Sequence, residues 1–409
     1  MRSFIVPTLL AICFLFEPIF FITRGILDPY TARLEEQPVV FMILLVLSAV
    51  IPALSYVGSK KIHTASLACI IVIMTIYSSF IVWSIINGMD NGGVLDDFLL
   101  SSVLVLKGIA IGSFFLRKSV VPSLLQSLSV ISIVLSIFYV FVLIQQITGG
   151  LLYPGIGGVT YQKASYMLAQ LIILNFMTHF FFDFNNTTIT KFVIFVINVL
   201  LFLGIFYNGG RGAALVILIL ILWVTYNSIK KIARNALALK FEKFHLLVMV
   251  AIFSSITFFS VIDLEIITLI TKGAVRIFEI ATMVFSNSGF DGSAVSGRDV
   301  IYARALEEIS LQPFTGYGPF WSYREVVPAH NIFLIILLQY GVVIGSALIV
   351  SVLFLFFRGL RRDNLRTFYV ILAPSFVYLL FSGNYLLSFE FWIFLTVALS
   401  TVDFKGYHA

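Results

Sequence analysis

Apolar runs of about 20 residues recur along the whole chain, separated by short polar breaks. A run of that length crosses roughly 30 Å of hydrocarbon as a helix whose backbone hydrogen bonds close internally. The pattern predicts helices at 4–22, 39–57, 65–86, 97–116, 120–147, 163–182, 192–208, 212–228, 244–262, 330–357, 367–383 and 385–402, about twelve spans in all. One polar stretch, 263–329, is far longer than the others and lies between the ninth and tenth runs. Inside it, 266–285 is apolar but interrupted by Lys272, Arg276 and Glu279, which predicts an amphipathic helix on the outer interface. Residues 286–296 are rich in Ser, Gly and Asn and read as a connection. Arg298 to Ile309 then has apolar residues at helical spacing, a second short helix ending before Pro313.

Composition agrees with this pattern. With 60% hydrophobic and 11% charged residues, the chain departs from the soluble average of about 45–50% apolar and about 25% charged. The expected fold class is all-α: a polytopic membrane protein forming one integral membrane domain over 1–409, with 263–329 as a large loop within it. Arg2 followed by an apolar run, then Glu17 and Pro18 without a small-residue cleavage pattern, reads as a first span and not as a removed signal peptide. Cys13 and Cys69 fall inside apolar runs, so neither a disulfide framework nor a thiolate metal site is indicated.

The net charge of +6 in a soluble chain suggests nucleic acid. Here it follows from which loops are basic, and no nucleic-acid partner is expected. With a cytoplasmic amino terminus, the inner loops carry Lys60, Lys61, Arg117, Lys118, Lys191, Lys230, Lys231, Arg234, Lys240, Lys243, Arg358, Arg361, Arg362 and Arg366. The short outer loops hold only Arg24, Arg33, Lys163 and Arg211. That asymmetry is the positive-inside pattern. It places both termini in the cytoplasm and puts 263–329, 208–211 and 148–163 on the outer side, where they can converge on one external site.

Candidate chemistry gathers in those outer segments. His330 follows Pro328 and Ala329 at the start of the tenth run, where a helix amino terminus disfavours imidazolium. A neutral histidine there can accept a proton, or it can simply cap the helix. Arg298 opens the short amphipathic helix, with Arg304 six residues on, and guanidinium suits phosphate oxygens through its planar, bidentate fork. Interfacial pairing with lipid phosphates is the competing reading for both, and for Arg276 and Arg324. Arg211 sits in Asn208-Gly209-Gly210-Arg211-Gly212, almost without loop between two apolar runs. A charge at the membrane edge is costly unless partnered or functional.

Lys107 falls near the middle of the fourth span and can reach a lipid-linked phosphate or a helix carbonyl. Glu390 and His179 are similar cases, more structural in character. The PFTGYGP stretch, with Pro313, Gly316, Gly318 and Pro319, is a turn that can fold back and expose backbone N–H groups. Tyr317, Phe320, Trp321 and Tyr323 beside it suit sugar stacking and an interfacial aromatic belt equally. Tyr161, Gln162 and Lys163 in GGVTYQKASY offer polar groups to a glycan or make a plain loop. Asp28, Glu35 and Glu36 lack compact metal-ligand spacing, and no phosphate-binding glycine loop, HExxH or GxSxG motif occurs. No metal and no cofactor are expected.

The arginine in the GGRGA turn, the SGR-initiated helix, the PFTGYGP turn and AHNIFLIILLQYGVVIG together resemble the bacterial O-antigen ligase and O-antigen polymerase family. The resemblance covers the topology of the whole chain, with its motifs concentrated in the second half. It implies a helical architecture related to the membrane glycosyltransferases of GT-C type. It also implies a multi-pass protein of the bacterial inner membrane that transfers glycans from undecaprenyl diphosphate on the periplasmic face. Matching motifs make Arg211 and Arg298 the holders of the diphosphate and His330 the base on the acceptor hydroxyl, in an inverting reaction independent of metal. Asn331 accompanies His330 in the HN motif as a substrate-binding candidate, with Lys107, Tyr161, Gln162, Lys163, Arg304, Tyr317 and Arg324. Gln339 departs from the family pattern, since many relatives carry glutamate there.

The implied partners are an undecaprenyl-diphosphate-linked oligosaccharide, membrane lipids, and a chain-length regulator and flippase of the same pathway. A polymerase is favoured over a ligase acting on lipid A core, because the segment around His330 is compact with a single histidine. A transporter or lipid-linked glycan flippase is the reading from another class. It asks for related halves or interrupted helices with charges near mid-membrane.

Overall fold

The computed structural model of the chain describes residues 2–27, 38–57, 64–87, 92–117, 119–149, 155, 160–181, 188–210, 212–221, 298–320, 329, 331–361, 363–381 and 384–403. The predicted ninth span at 244–262, the interfacial helix at 266–285, the connection at 286–296 and the acidic trio Asp28, Glu35 and Glu36 lie outside these residues.

The described residues are helical throughout their ordered elements. In chain order the helices are α1 (Arg2–Phe14), α2 (Phe16–Leu27), α3 (Pro38–Val57), α4 (Thr64–Asn87), α5 (Gly92–Phe115), α6 (Val121–Thr148), α7 (Tyr161–Phe181) and α8 (Thr188–Tyr207). They continue with α9 (Gly212–Ile221), α10 (Arg298–Leu311), α11 (Ile332–Leu360), α12 (Asp363–Phe381), a 3-10 turn (Tyr385–Leu387) and α13 (Phe389–Asp403). Among them, 5 are long and apolar enough to cross a membrane, and 6 if α1 and α2 are counted as one span. Four more apolar stretches, Phe192–Tyr207, Gly212–Ile221, Phe368–Phe381 and Phe389–Ser400, are shorter. The chain is therefore a polytopic helical membrane protein. The described helices account for fewer full-length spans than the twelve that hydropathy predicts.

Three of the predicted spans are divided in the structure. The first apolar run is two helices, α1 and α2, meeting at Leu15. The tenth is one long element broken at Gly341, whose φ of 72° and ψ of 178° are not helical. The last is preceded by a separate 3-10 turn. Breaks of this kind do not alter the apolar pattern, which is why hydropathy passes over them.

The chain divides into two compact units. The first comprises Met1–Phe16, Gln37–Leu128 and Phe290–Ala409. At its centre α5 packs along α13 through Gly108 and Gly112, a pair of glycines four apart that lets two backbones approach. A β-carbon on Gly108 would lie 2.5 Å from Phe389 O and from Trp392 Cβ, and one on Gly112 would lie 2.9 Å from Thr396 Cβ. Small polar groups tie the neighbouring helix in: Ser66 and Ser113 hydroxyls are 2.7 Å apart and Cys69 Sγ is 3.3 Å from Thr396 Oγ1. Phe356, Tyr369, Phe376 and Phe394 form an aromatic cluster of edge-to-face and tilted pairs joining α11, α12 and α13.

The second unit comprises Glu17–Glu36 and Ser129–Gly289. Its core is a polar seam inside apolar helices. Ser129, Ser132, Ser136 and Tyr139 recur on one face of α6 at helical spacing, and all are buried. Ser132 donates to Asn175 Oδ1 at 2.6 Å, and Asn175 Nδ2 donates to Ser136 Oγ and to Asn198 Oδ1, both at 2.9 Å. Hydrogen bonds of this type join helices where lipid offers no hydrophobic drive for association.

Candidate functional site

In the second unit, the turn that carries Arg211 is shaped by its glycines. α8 ends with Gly209 at φ 71°, with Gly209 N donating to Phe206 O at 2.8 Å and Gly210 N donating to Ile205 O at 2.9 Å. That pair of bonds is a Schellman closure, which satisfies the last carbonyls of a helix and requires a left-handed residue that glycine adopts without strain. The next helix starts at once, Gly210 O accepting from Ala214 N at 3.0 Å. Arg211 lies outside the described residues, but both of its flanks belong to this tight junction.

The junction is held from two sides. Asn208, fully buried, donates from Nδ2 to the Tyr139 hydroxyl of α6 at 3.2 Å. Gly210 abuts Ser165 in α7 so closely that any side chain there would overlap Ser165 Cβ and Oγ. Ser165 in turn belongs to the first turns of α7, where Tyr161, Gln162 and Lys163 stand. The sequence reading placed these three in a loop, with the helix beginning at 163. They instead form the first helical turn, Ala164 N donating to Thr160 O at 3.0 Å. Gln162 Nε2 donates to the Tyr161 hydroxyl at 3.3 Å, and Lys163 Nζ is 2.7 Å from Glu17 Oε2. The GGRGA turn and the YQK segment, far apart in sequence, are thus neighbours within one unit, and Glu17 is a partner for Lys163 that the sequence did not point to.

In the first unit, Arg298 opens α10 as predicted, and its side chain lies outside the described ones. Arg304 stands exposed on the same helix, whose buried face is Ala305 and Ile309. His330 and Arg324 lie outside the described residues, as do Trp321 and Tyr323. Asn331 is the amino-terminal cap of α11: its backbone is extended, and its side-chain oxygen accepts from Phe333 N at 2.9 Å and Leu334 N at 3.3 Å. The helix therefore begins one residue past a cap, not at His330. Tyr317 donates its hydroxyl to Glu308 Oε2 of α10 at 2.6 Å.

The turn at 313–320 does fold back, and it folds onto α11 at the Gly341 break. Tyr317 N donates to Leu338 O at 2.7 Å, Gly318 N to Gln339 O at 2.9 Å, and Val342 N to Pro313 O at 2.6 Å. Beside the break, Tyr385 from the 3-10 turn donates to Gln339 Oε1 at 2.8 Å, with the Tyr340 hydroxyl 3.1 Å away. Tyr385 is itself buried, and its hydroxyl is the donor in this pair. Gln339 is fully buried, and its Nε2 has no hydrogen-bond partner among the described residues.

Lys107 is fully buried in α5, its Nζ 4.0 Å from the Phe389 ring centroid and 5.3 Å from that of Phe16. The aromatic faces supply the attraction that lets a cation sit at this depth. It lies along α5 about 14 Å of helix rise from Phe98, the residue that packs with Phe80 on Phe320 of the turn. Glu390 accepts from Ser388 at 2.9 Å at the start of α13, and the side chain of His179 is outside the described ones.

Two further features escaped the sequence reading. One is the amide and serine seam of α6, α7 and α8, whose signal was present as Ser129, Ser132 and Ser136 at helical spacing. The other is the docking of the PFTGYGP turn on Gly341, which nothing local announces.

Residues 196–350 match the model of the family described as O-antigen ligase. Over these residues the chain is similar to that family. The matched region runs from within α8 through α9 and α10 into α11, so it contains Arg211, Arg298, the 313–320 turn, His330 and the Gly341 break. No curated protein matches the chain.

Proposed function

We propose that this protein is a polymerase of O-antigen or a related surface polysaccharide, acting on the periplasmic face of a bacterial inner membrane. Its donor is a glycan on undecaprenyl diphosphate and its acceptor is the non-reducing end of another lipid-linked repeat unit. The observation that carries this reading is the family match over 196–350, which spans all three candidate catalytic residues.

In the proposed step the acceptor hydroxyl oxygen attacks the anomeric carbon as the bond from that carbon to the diphosphate oxygen breaks, inverting the centre once. The hydroxyl proton passes to the His330 imidazole, and undecaprenyl diphosphate leaves with the bonding electron pair. Arg211 and Arg298 supply permanent charge for the leaving diphosphate, a role in which electrostatic stabilisation strengthens as the bond breaks. None of these steps calls on a metal ion.

Purified protein in proteoliposomes, supplied with lipid-linked repeat, should elongate glycan, and His330→Ala and Arg211→Ala should each abolish elongation. Full transfer by both variants would refute the assignment. In cells, a deletion that leaves single repeat units on lipid A supports the polymerase. Accumulation of long undecaprenyl-linked chains supports the ligase acting on lipid A core.

The interrupted helices at Leu15 and Gly341 favour one second reading, translocation of a lipid-linked glycan, since non-helical backbone at membrane depth is tolerated where it is buried in protein or lines a cavity. Movement of labelled lipid-linked repeat across a vesicle membrane, without formation of a glycosidic bond, would establish it in place of transfer.

A further inference from the structure

The turn at 313–320 and the break in α11 complete each other. In an unbroken helix Leu338 O would accept from Val342 N and Gln339 O from Val343 N. At Gly341 that ladder fails, and the turn supplies what is missing: Tyr317 N and Gly318 N take the two carbonyls, while Pro313 O takes the Val342 amide. Withdrawing the turn would orphan three backbone groups within an apolar element, at several kcal/mol each in hydrocarbon. The fit is also reciprocal in shape. A β-carbon on Gly316 would come 2.6 Å from Gln339 C and O and from Gly341 N, and one on Gly341 would come 2.6 Å from Phe314 C and O. Both glycines have positive φ, 63° and 72°, so neither space nor backbone admits another residue.

This interlock is anchored in three directions. Tyr317 ties it to α10 through Glu308. Tyr385 ties Gln339 to the 3-10 turn before α13. Phe320, buried and itself at φ 70°, ties it to Phe80 of α4 and Phe98 of α5. Two helices end at it. α10 runs into the turn directly, and the first section of α11, from the Asn331 cap to Tyr340, ends at the break.

We propose that Gly316, Gly341, Gln339 and Tyr317 are positioning residues. They form a rigid bracket that sets the heading of the first section of α11, and so of the chain at His330, against that of α10, which Arg298 opens. The inference rests on the glycosyl-transfer reading above and adds to it the element that registers base and diphosphate holder with one another. Lever lengths show why rigidity matters. The first section of α11 is about 14 Å long and α10 about 20 Å. A rotation of about 5° at the bracket then moves their far ends by about 1–2 Å, and a misplacement of about 1 Å can lower turnover by about 100-fold.

The test joins a distance to a rate. Nitroxide labels at Val300→Cys in α10 and Phe333→Cys in α11, in a chain whose buried Cys13 and Cys69 are replaced by alanine, should give one narrow distance in lipid nanodiscs. Gly341→Ala should broaden or shift it by about 2 Å, and should lower kcat for glycan elongation at least tenfold while the donor KM stays within about twofold. Tyr317→Phe keeps the ring and removes the bond to Glu308, so it should fold if Gly341→Ala does not and should show the same pattern more weakly. Thr315→Ala, an exposed position of the same turn, should change neither reading.

An unchanged narrow distance in Gly341→Ala and Tyr317→Phe would overturn the bracket whether or not transfer occurs. A shifted distance with full kcat would overturn its positioning role. Absence of any transfer by the wild type would instead remove the glycosyl-transfer reading, leaving the distances to judge the interlock alone.

Discussion

Gly210 rests against Ser165 with no room for a side chain between them. The contact joins the α8–α9 junction, which carries Arg211, to the first turns of α7, which carry Tyr161, Gln162 and Lys163. In this unit it is the shape of a glycine, and not a charge, that brings two groups of candidate site residues together.

Gly210→Ala should therefore displace the junction. Overpacking of this kind costs about 1–3 kcal/mol, and elongation in proteoliposomes should fall by more than about tenfold. Ser165→Gly removes the opposing β-carbon, so the double variant should recover most of the loss. Failure of that rescue would show that the loss does not come from this contact.

Asn175 satisfies Ser132, Ser136 and Asn198 at once. Asn175→Leu should lower the thermal midpoint of the detergent-solubilised protein, with a loss of about 1–2 kcal/mol, near the upper end for hydrogen bonds between membrane helices. Midpoints equal within error would mean that the seam is hydrated and adds nothing to helix association.

Tyr385 has Gln339 Oε1 as its acceptor in a fully buried setting. Gln339→Leu leaves that hydroxyl only the Tyr340 oxygen, 3.1 Å away, and should cost about 1 kcal/mol. Tyr385→Phe in the same chain should cancel part of the effect, giving a coupling of at least about 0.5 kcal/mol in a double-mutant cycle of unfolding midpoints. Strict additivity would separate the two side chains energetically.

Lys107 has the Phe389 ring 4.0 Å from its amine. Lys107→Met keeps the unbranched length and discards the charge. If the amine holds donor phosphate, donor KM should rise about tenfold or more with little change in thermal midpoint, measured side by side. A lower midpoint with an unchanged KM would assign the residue to packing alone.

The sequence was most informative where free energy is local. Apolar runs at α3 to α6 and α11 are long enough that hydropathy marks them, and α10 begins at Arg298 where polar and apolar positions first adopt helical spacing. It was less informative at Gly341, because apolar residues, Leu334 to Leu338 and Val342 to Ile344, lie on both sides of the break and the groups that stabilise it, Pro313 to Gly318, lie on another element. The start of α7 was misplaced for a related reason: Tyr161 and Gln162 are polar, and hydropathy counts them out of a helix that hydrogen bonding includes. The match over 196–350 agrees with the resemblance drawn from GGRGA, SGR, PFTGYGP and the HN motif, all of which lie within those residues.

By itself, the sequence determined that this is a helical, multi-span membrane protein and which residues could carry chemistry, because lipid requires every backbone group to find its partner inside the protein, most simply within a helix, and makes each polar residue conspicuous. Only the tertiary structure decided that Lys163 pairs with Glu17, that Asn331 caps α11, and that Gly316 and Gly341 interlock. Each of those depends on two segments meeting at contact distance, and van der Waals exclusion and hydrogen-bond geometry act between atoms in space, whatever their separation along the chain.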